Sequence, residues 1–131
     1  MTKRLEMYRC KVCGNLVQVI LEGDGELVCC GEPMELLTPN KTENVNTEYH
    51  IPVYKYCDKE GIIVQVGKEP HPMTEEHYIQ FIETVCEDKK HIRLHYLTPE
   101  EEPRMRIDSK TEKEHALAYC NLHGLWEGNN D

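Results

Sequence analysis

Cys10-Lys11-Val12-Cys13 and, further on, Cys29-Cys30 form a C-x2-C-x15-C-C pattern. A C-x2-C turn places two thiolates on one ion while its backbone N–H groups point at the sulfurs. Four thiolates favour zinc or iron, and spacing alone does not separate the two. The second pair is adjacent rather than spaced by two, so its short tether should distort a tetrahedron of sulfurs. Downstream, candidates of a second kind draw attention: His50, His71, His77 and Cys120-Asn121-Leu122-His123. The C-x2-H spacing lets a thiolate and an imidazole reach one ion, with Gly124 easing a tight turn. His71 stands between Pro70 and Pro72, which hold its backbone extended. Taken singly, each histidine reads more readily as a satisfied polar residue than as a ligand.

These residues belong to a chain of 131 residues with 7 Cys and 7 His. No apolar run approaches the roughly 18 residues that a membrane span needs. Residues 1–10 lack the apolar stretch of an export signal, so the expectation is a cytoplasmic protein. In that setting so many soft ligands point to metal before disulfide. The 15 Lys plus Arg against 24 Asp plus Glu give a net charge of -9. That balance argues against a nucleic-acid binder and against a cationic membrane-surface protein. With 39% hydrophobic and 30% charged residues, the chain is polar but not depleted enough to be disordered.

The elements that must position the ligands follow from composition. Residues 1–37 hold four of the seven Cys and no His, whereas residues 38–131 hold three Cys and all seven His. Residues 38–44, with Pro39, read as a linker between two domains. In the first, the apolar run 16–21, the turn Glu22-Gly23-Asp24-Gly25 and the return over 26–28 predict a hairpin with one cysteine pair before it and another after. So short a module has too little core to fold alone, and a metal or a partner chain should hold it together. The second domain reads as strands at 50–56, 62–66, 78–86, 92–97, 105–107 and 117–120, with turns at 58–61, 70–72 and 98–99. Short strands at that spacing predict an all-β chain with an antiparallel sandwich. Residues 111–119, rich in Glu, Lys and Ala, are open to a helix or a strand.

Four separated motifs together resemble the desulfoferrodoxins, the two-iron class of superoxide reductase. They are the Cys10–Cys30 pattern; Glu48-Tyr49-His50-Ile51-Pro52-Val53; Pro70-His71-Pro72-Met73 through His77; and Tyr119-Cys120-Asn121-Leu122-His123-Gly124 with Trp126. They occur in the family's order and span essentially the whole chain. The resemblance implies two iron ions per chain. Cys10, Cys13, Cys29 and Cys30 match the ligands of a distorted rubredoxin-like iron in a desulforedoxin-type module at 1–37. His50, His71, His77 and His123 match the equatorial imidazoles of a catalytic iron, and Cys120 its axial thiolate, in an immunoglobulin-like β-sandwich at 38–131. It further implies a homodimer that reduces superoxide to hydrogen peroxide and is re-reduced by rubredoxin or a similar small electron carrier.

Glu48 matches the family carboxylate that closes off the oxidised site after product leaves. Tyr49 is a departure, because the family's usual motif is Glu-Lys-His, with the lysine drawing the anion in. A phenol with a pKa of about 10 donates a hydrogen bond but carries no positive charge at neutral pH. Either another cation supplies the field, with Lys41 and Lys55 the nearest in sequence, or steering is weaker. The expectation from sequence is a smaller ionic-strength dependence of the superoxide rate than in a lysine-bearing relative.

The remaining candidates read as bystanders. Cys57 and Cys86 fall at strand ends and behave as small hydrophobes. His91 and His95 share a parity with Arg93, opposite Ile92, Leu94 and Tyr96, which predicts a solvated face. His115 and the acidic run at 99–103 read as exposed, and Leu125 and Trp126 as cover for the iron. Two rival functions remain: a small iron protein that only transfers electrons, and a zinc-ribbon interaction module fused to a sandwich.

Overall fold

The structure is a computed structural model that describes residues 1–42, 49–57, 61–107 and 113–129. Glu48, the turn residues 58–60 and the start of the 111–119 segment lie outside the described residues. No helix occurs among the described residues, and the chain divides into two compact units, Met1–Thr38 and Pro39–Asp131.

In the first unit β1 (Met7–Arg9) lies between β2 (Leu16–Gln18) and β5 (Glu35–Leu36), while β3 (Val28–Cys29) pairs with β4 (Glu32–Pro33). The hairpin expected between 16–21 and 26–28 does not form. β2 pairs instead with β1, with Met7 opposite Gln18 and Arg9 opposite Leu16. The reason is local. The C-x2-C turn closes itself, Cys10 N–H donating to Asn15 O (2.8 Å) and Gly14 N–H to Cys10 O (3.0 Å), which brings the flanking strands into register. The glycine-rich 22–25 segment is tied elsewhere: Thr2 N–H donates to Gly23 O and Gly23 N–H to Thr2 Oγ1, both at 3.0 Å. Among apolar side chains, only Met7, Cys10 and Val19 are buried in this unit.

The second unit is a three-on-four antiparallel sandwich. One sheet has the order β10 (Arg104–Ile107), β7 (Gly61–Val66), β6 (Pro52–Cys57). The other runs β12 (Gly124–Asn129), β11 (Glu114–Cys120), β8 (Ile79–Cys86), β9 (Ile92–Tyr96). Between them Val64, Val66, Ile79, Ile82, Leu97, Met105, Ile107, Ala116, Ala118 and Cys120 form one buried cluster. The open segment resolves as strand over Glu114–Cys120, because β11 is the central strand flanked by both β8 and β12 and sheet pairing overrides weak β-propensity.

The face of β9 that carries His91 and His95 is solvated, as expected, but the apolar face does not turn inward. Ile92, Leu94 and Tyr96 are exposed at 38%, 48% and 74%, whereas Arg93 is half-buried on the side of the opposing sheet. β9 is the edge strand, and Arg93 Nη1 reaches Thr84 Oγ1 (3.2 Å) and the fully buried Glu114 carboxylate (3.3 Å). Tyr54 O–H donates to the same carboxylate from the other sheet at 2.9 Å. Burial, then the adjacent Glu114, raises the Tyr54 phenol pKa, so it stays a donor. This network closes the end of β11 away from Cys120. His91 and His95 are exposed, Cys86 is buried, and His115 is half-buried with Nε2 3.9 Å from Glu127.

Candidate metal centres

The four cysteine sulfurs of the first unit lie within 4.8 Å of one another. Cys13 Sγ is 3.6 Å from Cys29 Sγ, and Cys29 Sγ is 3.9 Å from Cys30 Sγ. A tetrahedron with metal–sulfur bonds of about 2.3 Å has edges of about 3.8 Å, so the spacing fits one ion. Two hairpin tips supply the pairs. Cys30 and Gly31 are the central residues of the β3–β4 turn, both with positive φ (53° and 75°). Neighbouring side chains on an extended strand point to opposite faces, and this left-handed turn is what brings two adjacent sulfurs to one side. Cys13 N–H points at Cys10 Sγ (3.4 Å), and with the Val12 N–H it lowers the Cys10 thiol to about 6. The crowding of sulfurs does the reverse elsewhere: contact with Cys13, above all, raises Cys29 and pushes Cys30 up to about 12. Four thiolates therefore need a cation at their centre to coexist.

The second centre gathers at one end of the sandwich. His50 precedes β6, His71 and His77 lie on the β7–β8 connection, and Cys120 and His123 flank the β11–β12 turn. Ligand atoms of His50, His77, Cys120 and His123 all lie within 4.8 Å of one another. His50 Nε2 is 3.2 Å from His123 Nδ1, close to the roughly 3.0 Å between neighbouring nitrogens on an ion with bonds of about 2.1 Å. Cys120 Sγ is 3.7 Å from the same Nδ1. His71 joins through ring contacts, its centroid 4.6 Å from His50 and 4.7 Å from His77. Its Nδ1 lies 2.7 Å from Pro72 O; a carbonyl only accepts, so Nδ1 carries the proton and the buried Nε2 keeps its lone pair. His50, His71 and Cys120 are buried, His77 is half-buried and His123 is exposed, so the cluster reaches solvent through His77 and His123. The donor set, imidazoles with one thiolate, suits iron.

Supporting residues set these positions. A register shift between Tyr119 and Cys120 puts Cys120 opposite Ile79 and re-aims the thiolate. Gly124, at φ 83°, closes the turn that returns His123 beside it. Trp126 stacks on His50 (4.5 Å, 14°) and its indole N–H donates to His123 O at 3.1 Å, the covering role its sequence position suggested. Asn121 was not singled out by sequence. Its Oδ1 accepts from Tyr78 N–H (2.9 Å) and its Nδ2 donates to Glu76 O (3.0 Å), tying the Cys120–His123 turn to the His77 loop. Its only sequence signal is its place between the two ligands.

All five predicted residues of the second centre thus meet in space, and so do the four cysteines of the first. Lys41 is paired to Glu127 at 3.2 Å and Lys55 is exposed on β6. Tyr49 has a different neighbour, Lys68, whose Nζ lies 4.7 Å from the ring centroid.

The family model described as Desulfoferrodoxin, N-terminal domain, matches residues 2–37, and the Desulfoferrodoxin model matches residues 41–129. The desulfoferrodoxin of Syntrophotalea carbinolica is 46% identical, over 96% of this chain and 97% of its own. A superoxide reductase of Pyrococcus abyssi is 43% identical, over 61% of this chain and 84% of its own. The crystal structure of the superoxide reductase from Treponema pallidum superposes with a TM-score of 0.72 at 24% identity, over 97% of this chain and 99% of that one, a likeness of fold.

Proposed function

The chain belongs to the desulfoferrodoxin family, and from that premise we propose that it is a superoxide reductase. Superoxide, one electron and two protons give hydrogen peroxide; no second superoxide is oxidised, so an external donor must restore the electron. The observation that carries the reading is the convergence of ligand atoms of His50, His77, His123 and Cys120 within 4.8 Å of one another, with His71 in ring contact with His50 and His77.

Iron, when bound, supplies the electron and a coordination position for a small oxygen species. We assign Cys10, Cys13, Cys29 and Cys30 to one iron, and His50, His71, His77, His123 and Cys120 to the other. The buried Cys120 thiolate would donate charge to a bound metal, as thiolates do in haem enzymes. Pro72 O holds the His71 tautomer, and Trp126 fixes the plane of His50. Tyr49, next to His50, brings a phenolic donor; Glu48, outside the described residues, is assigned from its motif alone as the carboxylate that would cover the oxidised site. The domain assignments, 1–37 for the desulforedoxin-like module and 38–131 for the reductase, belong to the same reading. So do a homodimer, a cytoplasmic location, a rubredoxin-like donor and a role in superoxide detoxification.

Visible absorption of the purified protein with metal analysis tests the assignment. Two chromophores are expected, a ferric four-thiolate centre and a lower-energy thiolate-to-iron band. A colourless zinc protein refutes it. Pulse radiolysis then tests the reaction: one peroxide per superoxide is expected, and both bands without superoxide consumption would return the chain to electron transfer alone.

A further inference from the structure

We propose that Lys68 is the cation that draws the superoxide anion to the iron site, held at the rim by the ring of Tyr49. The inference rests on the reductase reading. A chain of net charge -9 repels an anion unless positive charge is concentrated where the anion must arrive. The Tyr49 phenol, which carries no positive charge in either of its forms, does not supply it. The Lys68 ammonium, 4.7 Å from the Tyr49 ring centroid, lies within the roughly 6 Å reach of a cation–π contact.

Lys68 is placed by a turn anchored to ligand-bearing backbone on both sides. Gly67 N–H donates to Ile51 O (3.1 Å), one residue after His50, and His71 N–H donates to Val66 O (3.2 Å). Gln65 Nε2 donates to Gly67 O at 2.9 Å and fixes the turn from within. Gly67 has φ 85°, and a Cβ there would stand 2.4 Å from Glu69 O and 2.7 Å from Tyr49 O. Only glycine permits so close an approach, and that approach sets Lys68 against Tyr49. The two lysines nearest in sequence are placed otherwise: Lys41 pairs with Glu127, and Lys55 stands exposed on β6. Glu69, Glu75 and Glu76 are exposed on the same β7–β8 connection, so loss of Lys68 leaves an acidic rim. The proposal differs from the expectation of weaker steering: it requires a salt-dependent rate, carried from a different position.

The test measures the second-order superoxide rate of the iron-loaded protein from about 10 mM to about 0.5 M salt. Lys68→Met is expected to slow the reaction roughly three- to tenfold at low salt. The gap should close to within about twofold at high salt, where screening acts over a few Å. Lys68→Arg should keep the wild-type slope, and so should Lys55→Met. A Lys68→Met protein with wild-type rate and slope would overturn the proposal, as would an equal loss in Lys55→Met. Azide affinity of the ferric site, followed by the thiolate band, supplies a readout without turnover. It should weaken about threefold in Lys68→Met, and unchanged affinity counts against Lys68 even if the protein consumes no superoxide. If affinity weakens but wild type consumes none, the reductase reading fails and the anion-attracting role stands. In the zinc-substituted protein the Tyr49 ring current should shift the Lys68 Cε protons upfield, and Tyr49→Leu should abolish that shift. No shift in wild type would remove the contact on which the proposal stands.

Discussion

Cys30 stands at φ 53°, a conformation that disfavours any side chain, and an adjacent pair of thiolates on one metal depends on it. Gly31 shares the turn at φ 75°, with open space where a Cβ would be. Gly31→Ala therefore adds conformational strain alone, about 1–2 kcal/mol. Iron affinity of the four-thiolate centre should fall roughly 5- to 30-fold, measured by competition with a chelator. An unchanged affinity would mean that the turn relaxes without disturbing the sulfurs. At the other centre, His71→Ala is expected to shift or erase the thiolate-to-iron band and to leave the four-thiolate chromophore intact. Identical spectra would exclude His71 as a ligand. The four cysteines were legible from their spacing, and the histidines only through the resemblance of their motifs to a family, because a lone imidazole has many other uses. Lys68 was not, because its partner Tyr49 is remote in sequence and only the Gly67 turn joins them.

Among elements, the β11–β12 turn and the β7–β8 connection act as one unit because Asn121 bonds across them. Asn121→Ala removes both side-chain links and keeps only the backbone bond from Asn121 N–H to Tyr78 O (3.2 Å), without touching a ligand. Loss of such outer support typically lowers metal affinity about 10- to 100-fold, and metal titration of the second centre should show it. A normal affinity would reduce Asn121 to a surface turn residue. The far end of β11 carries a different device. Tyr54→Phe leaves the buried Glu114 carboxylate short of one charge-assisted bond, a cost of about 1.5–3 kcal/mol in urea or thermal unfolding. Iron spectra should not change, since the network lies at the opposite end of the strand from Cys120. Strand positions in the sandwich were readable from apolar runs and turn residues. The pairing in the small unit and the half-burial of Arg93 were not, because each depends on a partner distant in sequence: Thr2 for the 22–25 segment, Glu114 for Arg93.

Across the whole molecule, the two units differ in what holds them. The first buries only Met7, Cys10 and Val19 among its apolar side chains, the second a continuous sheet-to-sheet cluster. Chelation of iron is therefore expected to unfold residues 1–38 and to leave the strands of residues 39–131 intact, as hydrogen exchange would read residue by residue. Retained protection in the first unit would show that its core suffices. The charge of -9 belongs to this scale too, since it makes a single placed cation matter to an anionic substrate. Residue type and spacing alone established the four-thiolate site and a β-rich frame, because paired thiolates and alternating strands carry their meaning locally, whereas the second ligand set came from the resemblance of four motifs to one family. Which cation faces the substrate, which strands pair around the cysteines and how Asn121 couples two loops were decided by the fold. Those properties are distances between residues far apart in the chain, and no local pattern encodes them.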